Sequence, residues 1–182
     1  MPKYFRYFPK TKHTDQNVVD ITKRAKFLET IAQNPNVYLP YTIRDGETAD
    51  EISYLFYGTV DYTWMIYLAN NIIDPYKDWP MRENEFVEYI ADKYKDEYEE
   101  STGNTEYTKY DVIAWTQNAD IDDNILFYRS HDDATITVSA ETMDRAATFD
   151  DDFEAGDWYA VRIYTAEEEA NDDKRTTQLI ND

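Results

Sequence analysis

The sequence predicts an α+β fold for a chain of 182 residues. In the middle of the chain, apolar residues recur at helical spacing between recognisable helix start and stop signals. Towards the end, short β-branched and aromatic runs alternate with acidic turns, which favours antiparallel strands. The composition, with 42% hydrophobic residues, four glycines and six prolines, is typical of a folded protein. The length suits one ordinary domain or a small module with appendages.

The first zone, residues 1–36, is predicted to be an extension. It opens with the aromatic stretch "YFRYFP" and continues into the polar stretch "KTKHTDQN", which we interpret as a turn. The apolar spacing that follows allows either a strand or a helix. We expect a strand near Val18 to Ile21 and a short helix after it.

The second zone, residues 37–100, begins with a short β-type run at Tyr41 to Ile43. Asp45 and Gly46 then form a turn pair, in which the glycine can take the positive φ that the backbone requires. The sequence therefore predicts a strand and a tight turn before the first helix.

The first helix is predicted over Ala49 to Tyr57. Thr48, followed three residues later by Glu51, is a capping-box pattern, and Gly58 supplies a left-handed stop. The helical spacing assigns three residues to the core face, namely Ile52, Leu55 and Phe56. It assigns three others to the solvent face, namely Asp50, Glu51 and Ser53.

Two further helices follow in this zone. Asp61 is expected to cap a second helix over "YTWMIYLANN", which is apolar nearly all round and should be enclosed by neighbouring elements. A third helix is predicted over "MRENEFVEYIADKYKDEYEE", with Phe86, Ile90 and Tyr94 on one face. Its last acidic turn is expected to fray into the linker "STGNTE".

The stretch "NNIIDPYKDWP" connects the second and third helices. Asn70 or Asn71 can end the second helix in a left-handed conformation. Pro75 fixes φ after Asp74, and Pro80 prevents a helix from starting before the residue that follows it. The sequence therefore predicts a turn at this position.

The aromatic residues of the chain supply candidate contacts. Trp79 is expected to fix the turn to the core, because its side chain is larger than a simple turn requires. Tyrosine is abundant, with 17 copies, and is typical of residues that anchor protein contacts. The predicted partner-binding residues are Tyr4, Phe5, Tyr7, Phe8 and Tyr76.

The third zone, residues 101–182, is predicted to contain three to four antiparallel strands. The candidate strands are "YDVIAW", "NILFYR", "ATITVSAE" and "DWYAVRIY". A closing helix is predicted over "TAEEEANDDKRTTQLI", beginning with a capping box at Thr165 and Glu168. Lys174 and Arg175 would suit the negative end of its dipole.

The charge and the apolar runs exclude several classes of partner. The chain has 18 basic and 38 acidic residues and a formal net charge of −20, so phosphate backbones and anionic headgroups are repelled over most of its surface. We therefore expect no nucleic-acid and no membrane partner. The longest apolar run, Trp64 to Ala69, is far too short to span a bilayer, and the N-terminus shows no export signal. The acidity suits either solubility or docking onto a basic partner.

No catalytic constellation, metal site or cofactor site is recognised in the sequence. Cysteine is absent, and His13 and His131 lack partners at zinc-ligand spacing. "DIDDNIL" begins like an EF-hand loop, but Ile125 stands where glycine is required and His131 stands where the closing Glu is required. Paired carboxylates cannot be located among so many acids by sequence alone.

A run of motifs in the second zone resembles a known family. A strand, a D-G-E turn, a helix ending in "YG", a helix with an early Trp ending in "NN", and then "DPYKDWP" are similar to the LysM-like core of baseplate wedge proteins of contractile-tailed phages. The stretches "YFPK", "VVDITKRAKF" and "YTAEEEANDDKRTTQLI" resemble the ends of that family, whereas residues 107–158 do not. The core motif residues are Asp45, Gly46, Tyr57, Gly58, Trp64, Asn70, Asn71, Asp74, Pro75, Trp79 and Pro80.

The resemblance implies a LysM-like βααβ-type core and a non-enzymatic structural role in the tail baseplate of the virion, assembled in the host cytoplasm. It implies that several copies join neighbouring wedges around the baseplate ring and contact other wedge, hub or sheath-proximal proteins. Arg82 departs from the small hydroxyl residue usual at the start of the third helix, so Asn84 is expected to cap that helix.

The alternative function is a LysM-type module that binds peptidoglycan glycan near "RDGET"; its single copy and the acidity argue against it. A wall hydrolase is a third interpretation, without a supporting residue.

Overall fold

Seven strands and six helices lie in the part of the chain that the computed structural model describes, residues 3–5, 8–23, 25–27, 34–149 and 155–181. The strands are β1 (Lys10–His13), β2 (Gln16–Val19), β3 (Tyr38–Thr42), β4 (Ile125–Ser130), β5 (Thr137–Ser139), β6 (Trp158–Arg162) and β7 (Thr176–Ile180). The helices are α1 (Ala49–Tyr57), α2 (Thr63–Ala69), α3 (Glu83–Thr102), α4 (Lys109–Gln117), α5 (Ala140–Phe149) and α6 (Ile163–Asp173). The predicted α+β class is confirmed.

The chain forms two compact units. Unit 1 comprises Met1–Pro80 and Asp173–Asp182, and unit 2 comprises Met81–Asp172. Unit 2 is thus an insertion between α2 and β7 of unit 1. Each of the three predicted zones is one continuous stretch of sequence, whereas unit 1 combines residues from both ends of the chain.

Unit 1 contains a core of two strands and two helices in the order β3, α1, α2, β7. The strands are antiparallel and in register from Tyr38 opposite Ile180 to Thr42 opposite Thr176. The buried cluster between sheet and helices combines one residue from each element or its flank, and partly buried aromatics pack against it. Its buried members are Ile43, Ile52, Ile66 and Leu179.

The predicted closing helix over residues 165–180 is wrong in its second half. The helix there is α6, which begins at Ile163, so Thr165 lies inside it and does not cap it. Lys174 and Arg175 form the turn that follows, and β7 then pairs with β3. Burial alternates from Thr176 to Leu179, with Thr177 and Leu179 facing the core, which is the pattern of a strand.

Pro40 occupies a position in β3 where no hydrogen bond to β7 is required. It lies opposite Gln178, while the flanking bonds run from Ile43 N–H to the Arg175 carbonyl and from Asn181 N–H to the Val37 carbonyl. In an antiparallel pair, alternate residue pairs make no mutual hydrogen bonds. Pro40 therefore interrupts no bond between the two strands.

Helix α1 has the predicted bounds and end signals, but its buried face differs from the prediction. Thr48 N–H donates to Glu51 Oε2 at 2.9 Å, and Gly58 ends the helix at φ 70°. Ala49, Ile52 and Ser53 are buried, and the Ser53 hydroxyl donates to the Thr59 carbonyl at 2.8 Å. The prediction placed Ser53 outside and placed two exposed residues, Leu55 and Phe56, inside.

Helix α2 is shorter than predicted and begins differently. Asp61 lies within a 3₁₀ turn, Val60–Tyr62, and its N–H donates to the Thr59 hydroxyl at 3.3 Å. The prediction of Asp61 as the cap is therefore wrong. Ile66 is buried, while the apolar residues beside it are half-buried, so the helix is less enclosed than its composition indicated.

The N-terminal zone forms a hairpin. β1 pairs antiparallel with β2, and Thr14 takes a positive φ of 54° in the turn. Lys10–His13, interpreted from sequence as part of a turn, is a strand, and the second strand ends at Val19, before Ile21. Residues 25–27 are not helical, and the rest of the predicted short helix lies outside the described residues.

In unit 2, α3 and α4 pack together around an apolar cluster. Phe86, Ile90 and Tyr94 are buried in it as predicted. Helix α3 does not fray at its acidic end but continues to Thr102 and ends at Gly103, whose φ is 67°. At its start, Arg82 N–H donates to Glu85 Oε2 at 3.4 Å, so the cap comes from Glu85 and the prediction of Asn84 is wrong.

The stretch "YDVIAW", predicted as a strand, lies in helix α4. Thr108 N–H donates to Asp111 Oδ2 at 2.7 Å, which forms a capping box in front of the apolar run. The buried side chain of Asn124 donates to the carbonyls of Trp115, at 2.6 Å, and Asn118, at 2.8 Å, near the other end. Both ends of α4 are thereby satisfied by side chains that favour helix over strand.

The other three predicted strands are present in part. They form an antiparallel sheet in the order β5, β4, β6, with a bulge in β4 between Ile125 and Phe127. "ATITVSAE" supplies only the three residues of β5 before α5 begins, and "DWYAVRIY" supplies β6 before α6 begins.

Asn171 of α6 fixes the first residue of unit 2, since its side chain accepts from Met81 N–H at 2.8 Å and donates to the Met81 carbonyl at 3.2 Å.

A charged cluster ties α6 to α3. Glu167 accepts from Lys93 Nζ at 2.5 Å and from the Tyr94 hydroxyl at 2.6 Å. Burial alone would raise the pKa of Glu167, but the hydrogen bonds from Lys93 and Tyr94 outweigh it and lower that pKa. Burial and the bond to Glu167 raise the pKa of Tyr94 to about 12.

Replacing the carboxylate in Glu167→Gln is expected to destabilise the protein by roughly 1 kcal/mol at neutral pH, since solvent screens part of this pair. The folded-state pKa of Glu167 lies below its ordinary value of 4.5, so its contribution is present above that value and is lost as the pH falls through the folded-state pKa. Urea midpoints of wild type and variant should therefore differ at pH 7 and begin to converge once the pH falls below 4.5. A constant difference would contradict this, and Glu168→Gln is the exposed control.

Candidate functional site

The segment Asn70 to Pro80 begins by joining helix α2 to strand β7. The Asn70 amide donates to the carbonyls of Ile66, at 2.8 Å, and Gln178, at 2.9 Å. Its Oδ1 accepts from Gln178 N–H at 2.8 Å. Asn70 thus makes the pair of bonds that a neighbouring strand would make to Gln178.

Tyr57 does the same one pleat further along β7. Its hydroxyl donates to the Ile180 carbonyl and accepts from Ile180 N–H, both at 3.0 Å. In this register, the backbone N–H and C=O groups of Gln178 and Ile180 point away from β3. The side chains of Tyr57 and Asn70 therefore satisfy the outer edge of β7 at two successive positions, which gives both motif residues a structural role.

Asn71 ends helix α2 in the left-handed conformation that the sequence predicts for Asn70 or Asn71. Its φ is 54°, while Asn70 has a φ of −105°. Ile72 N–H donates to the Tyr67 carbonyl at 2.9 Å, and Asn71 N–H to the Leu68 carbonyl at 3.4 Å. These two bonds form a Schellman-type ending, which turns the chain sharply away from the helix axis.

The turn that follows is organised by two aspartates. Asp74 Oδ1 accepts from Tyr76 N–H at 3.0 Å, bridging Pro75. Asp78 Oδ2 accepts from the N–H groups of Ile73 and Asp74, both at 2.9 Å. The backbone bonds from Asp74 and Ile73 lower the pKa of Asp78, so this carboxylate is held in its charged form.

Trp79 and Tyr76, the two large aromatics of the segment, have opposite environments. Trp79 packs against the buried cluster of unit 1 and donates from Nε1 to the Glu47 carbonyl at 2.9 Å. It also meets the ring of Tyr67 edge to face at 5.9 Å. Tyr76, at the tip of the turn, is 93% exposed. The segment is therefore fixed by Trp79 and presents Tyr76 to solvent.

Three of the N-terminal aromatics that are candidates for partner contact pack on one another, and one of them contacts helix α2. Tyr4 meets Phe5 at 4.8 Å, Phe8 at 4.9 Å and the motif residue Trp64 at 5.2 Å, measured between ring centroids. All three are half-buried, and Tyr7 lies outside the described residues. The cluster thus contacts helix α2 through Tyr4.

A further surface, which the sequence analysis missed, lies on the outer side of α1. Tyr54 is 66% exposed, Leu55 70% and Val60 54%. Together with three carboxylates they line a shallow groove of about 470 Å³. We name this set the α1 surface: Glu47, Asp50, Glu51, Tyr54, Leu55 and Val60. The signal was present, since four consecutive apolar residues, "YLFY", cannot all face one core from a nine-residue helix.

Membrane and metal features are absent from the residues that the structure covers. Over the described ranges, no helix combines the length and the apolar character that a bilayer crossing needs. The same ranges hold no group of three or more His, Cys, Asp or Glu side chains that could bind a metal ion. The site that remains is a set of aromatic and acidic surfaces.

The comparison with protein families identifies the chain. A family model described as base plate wedge protein 53 matches residues 5–124, more than half of the sequence. The chain belongs to this family. The resemblance to baseplate wedge proteins is thereby confirmed, while the LysM-like character of the core stays a prediction. No curated protein matches the chain.

Membership of the base plate wedge protein 53 family places the chain in the phage tail baseplate as a structural protein that assembles with other baseplate proteins. The match spans every one of the core motif residues, from Asp45 to Pro80, and extends to Asn124. It ends immediately before β4. The strand that completes unit 1, β7, lies beyond it.

The role of Asn70 in this wedge-family protein is tested by Asn70→Asp. The carboxylate would lose both donors and face the carbonyl oxygens of Ile66 and Gln178, so we expect a loss of about 2 kcal/mol in the free energy of unfolding. The matched control is Asn71→Gly, which suits the left-handed backbone and should change stability by less than about 0.5 kcal/mol. Urea unfolding measures both, and an equal effect of the two changes would contradict the assignment.

The two aromatics of the turn should separate stability from binding. Trp79→Ala removes a ring that packs on the core and a hydrogen bond to Glu47, so a loss of about 3 kcal/mol is expected. Tyr76→Ala should leave the urea midpoint unchanged and weaken incorporation into baseplates, measured by quantitative mass spectrometry of purified virions. If both variants fold normally and only incorporate poorly, the structural role of Trp79 is wrong.

Proposed function

We propose that this chain joins neighbouring wedges of the baseplate and stabilises the ring through protein contacts, in several copies per ring. Membership of the base plate wedge protein 53 family carries the proposal. The exposure of Tyr54 and Leu55 along one groove, and of Tyr76 at the tip of the turn, supports it, because large exposed apolar patches are typical of binding surfaces. The partners would be other wedge proteins and hub or sheath-proximal proteins.

The architecture suits a connecting role. Unit 1 and unit 2 each have their own buried cluster, so each can present a rigid surface. In the order β3, α1, α2, β7, unit 1 also has the arrangement that we propose to be LysM-like. Each of two separately packed units could contact a different neighbour.

We further propose that the chain acts without catalysis. Among the described residues, six Asp and Glu side chains have shifted pKa values, and each makes structural bonds. Asp20, Asp111 and Asp133 accept from nearby Thr residues, and Asp78 accepts from backbone N–H groups in the turn. Glu167 pairs with Lys93, and Glu169 pairs with Arg129 at 2.7 Å. In each the pKa is lowered, whereas a general acid at neutral pH requires a raised pKa.

The joining role is tested by interrupting the synthesis of this chain in an infecting phage with an amber codon. We expect wedges to accumulate unjoined, visible as slowly sedimenting particles by gradient centrifugation and negative-stain electron microscopy. Supplying the wild-type chain from a plasmid should restore closed rings. Closed rings formed without the chain would overturn the proposal.

A further inference from the structure

The α1 surface combines exposed apolar side chains with a negative rim on a rigid support. Tyr54, Leu55 and Val60 form its apolar part, and Glu47, Asp50 and Glu51 line the same groove. Patches of this kind, apolar at the centre and polar at the edge, are typical of protein-binding sites.

Helix α1 is fixed in place from its other side. Ala49, Ile52 and Ser53 are buried, and the helix is closed at its ends by the bond of Thr48 to Glu51 and by the left-handed Gly58. A helix held in this way loses little conformational freedom when its outer face is covered. The α1 surface is therefore ready to bind without rearrangement.

The negative rim distinguishes between partners. A second copy of this chain has a net charge of −20, and a self-complementary contact would place the three carboxylates of one copy near those of the other. Like charges brought together in an interface cost free energy and slow association. A segment that carries Lys or Arg beside an apolar anchor would instead gain from both parts of the groove.

We propose that the α1 surface docks a basic amphipathic segment of another baseplate protein. An apolar side chain of that segment fills the groove between Tyr54, Leu55 and Val60, and its basic residues lie against Asp50 and its acidic neighbours. The proposal rests on the proposed joining function and adds which surface is used and the chemistry of the partner. Electrostatic attraction would also speed the encounter and make it dependent on salt.

Site-specific photo-cross-linking in infected cells tests the partner. A p-benzoylphenylalanine residue at position 55 should cross-link, in assembled baseplates, to a peptide of another baseplate protein that contains Lys or Arg beside apolar residues. The matched control is position 110, because Tyr110 is 67% exposed on α4. A cross-link from position 55 to a second copy of this chain or to an acidic segment would overturn the proposal, as would no cross-link at all.

Variants test the chemistry of the groove. Leu55→Asp should reduce recruitment of the chain to baseplates at least tenfold, while Tyr110→Asp should not. Asp50→Asn should make recruitment from purified components less sensitive to salt than for wild type. Circular dichroism melting curves should be unchanged in all three variants, because each altered side chain is exposed.

The outcomes separate this inference from the proposed function. If rings require the chain but Leu55→Asp is recruited like wild type, the docking proposal fails and the joining function stands. If rings close in the absence of the chain, the joining function itself fails. Binding of an N-acetylglucosamine oligomer that Leu55→Asp abolishes, with recruitment unchanged, would overturn the proposal in favour of a glycan site.

Discussion

The pairing of β3 with β7 is the interaction on which unit 1 depends. It joins Tyr38–Thr42 to Thr176–Ile180 across more than a hundred residues of sequence. Without it, the helices α1 and α2 would have no sheet to cover, because the buried cluster requires Leu179 beside Ile43, Ile52 and Ile66. Closing so long a loop costs entropy, although the cost rises only slowly with loop length. Unit 2 lowers that cost, since the bonds between Asn171 and Met81 hold its two ends together.

The family motif is explained largely by this pairing. Asn70 and Tyr57 satisfy the outer edge of β7, Asn71 turns the chain out of α2, and Trp79 packs on the cluster that the sheet supports. These residues are positioned by local signals but take their partners from distant parts of the chain. The motif residues therefore build the core, while the surfaces that we propose for contact with other proteins lie at other positions, such as Leu55 and Tyr76.

Local signals predicted an element well where the capping residues and the backbone preferences indicate the same helix ends, as at Thr48, Glu51 and Gly58. The prediction was wrong where composition and capping compete: the aromatic and β-branched run "YDVIAW" has strand propensity, but the bond from Thr108 to Asp111 selects helix. The strand β7 was missed because its partner lies far away in sequence and because a helix precedes it without a proline or glycine break. The outer face of α1 was misassigned because helical spacing shows which residues share a face but does not show which face is buried against the core. Of the candidate site, the turn and the anchoring by Trp79 were predictable. The run "YLFY" indicated that α1 has an exposed apolar face, but which of its residues form that face required knowledge of burial.

The bonded outer edge of β7 and the proline in β3 limit the addition of further strands to the sheet of unit 1. A sheet extends from one molecule to the next only where a free row of N–H and C=O groups meets another strand. Tyr57 and Asn70 occupy that row on β7, and Pro40 removes one donor from the outward side of β3. At the high local concentration of an assembling baseplate, such a sheet resists edge-to-edge polymerisation between copies. Under the proposed joining function, contacts between this chain and its neighbours would be made by side chains and not by strand pairing.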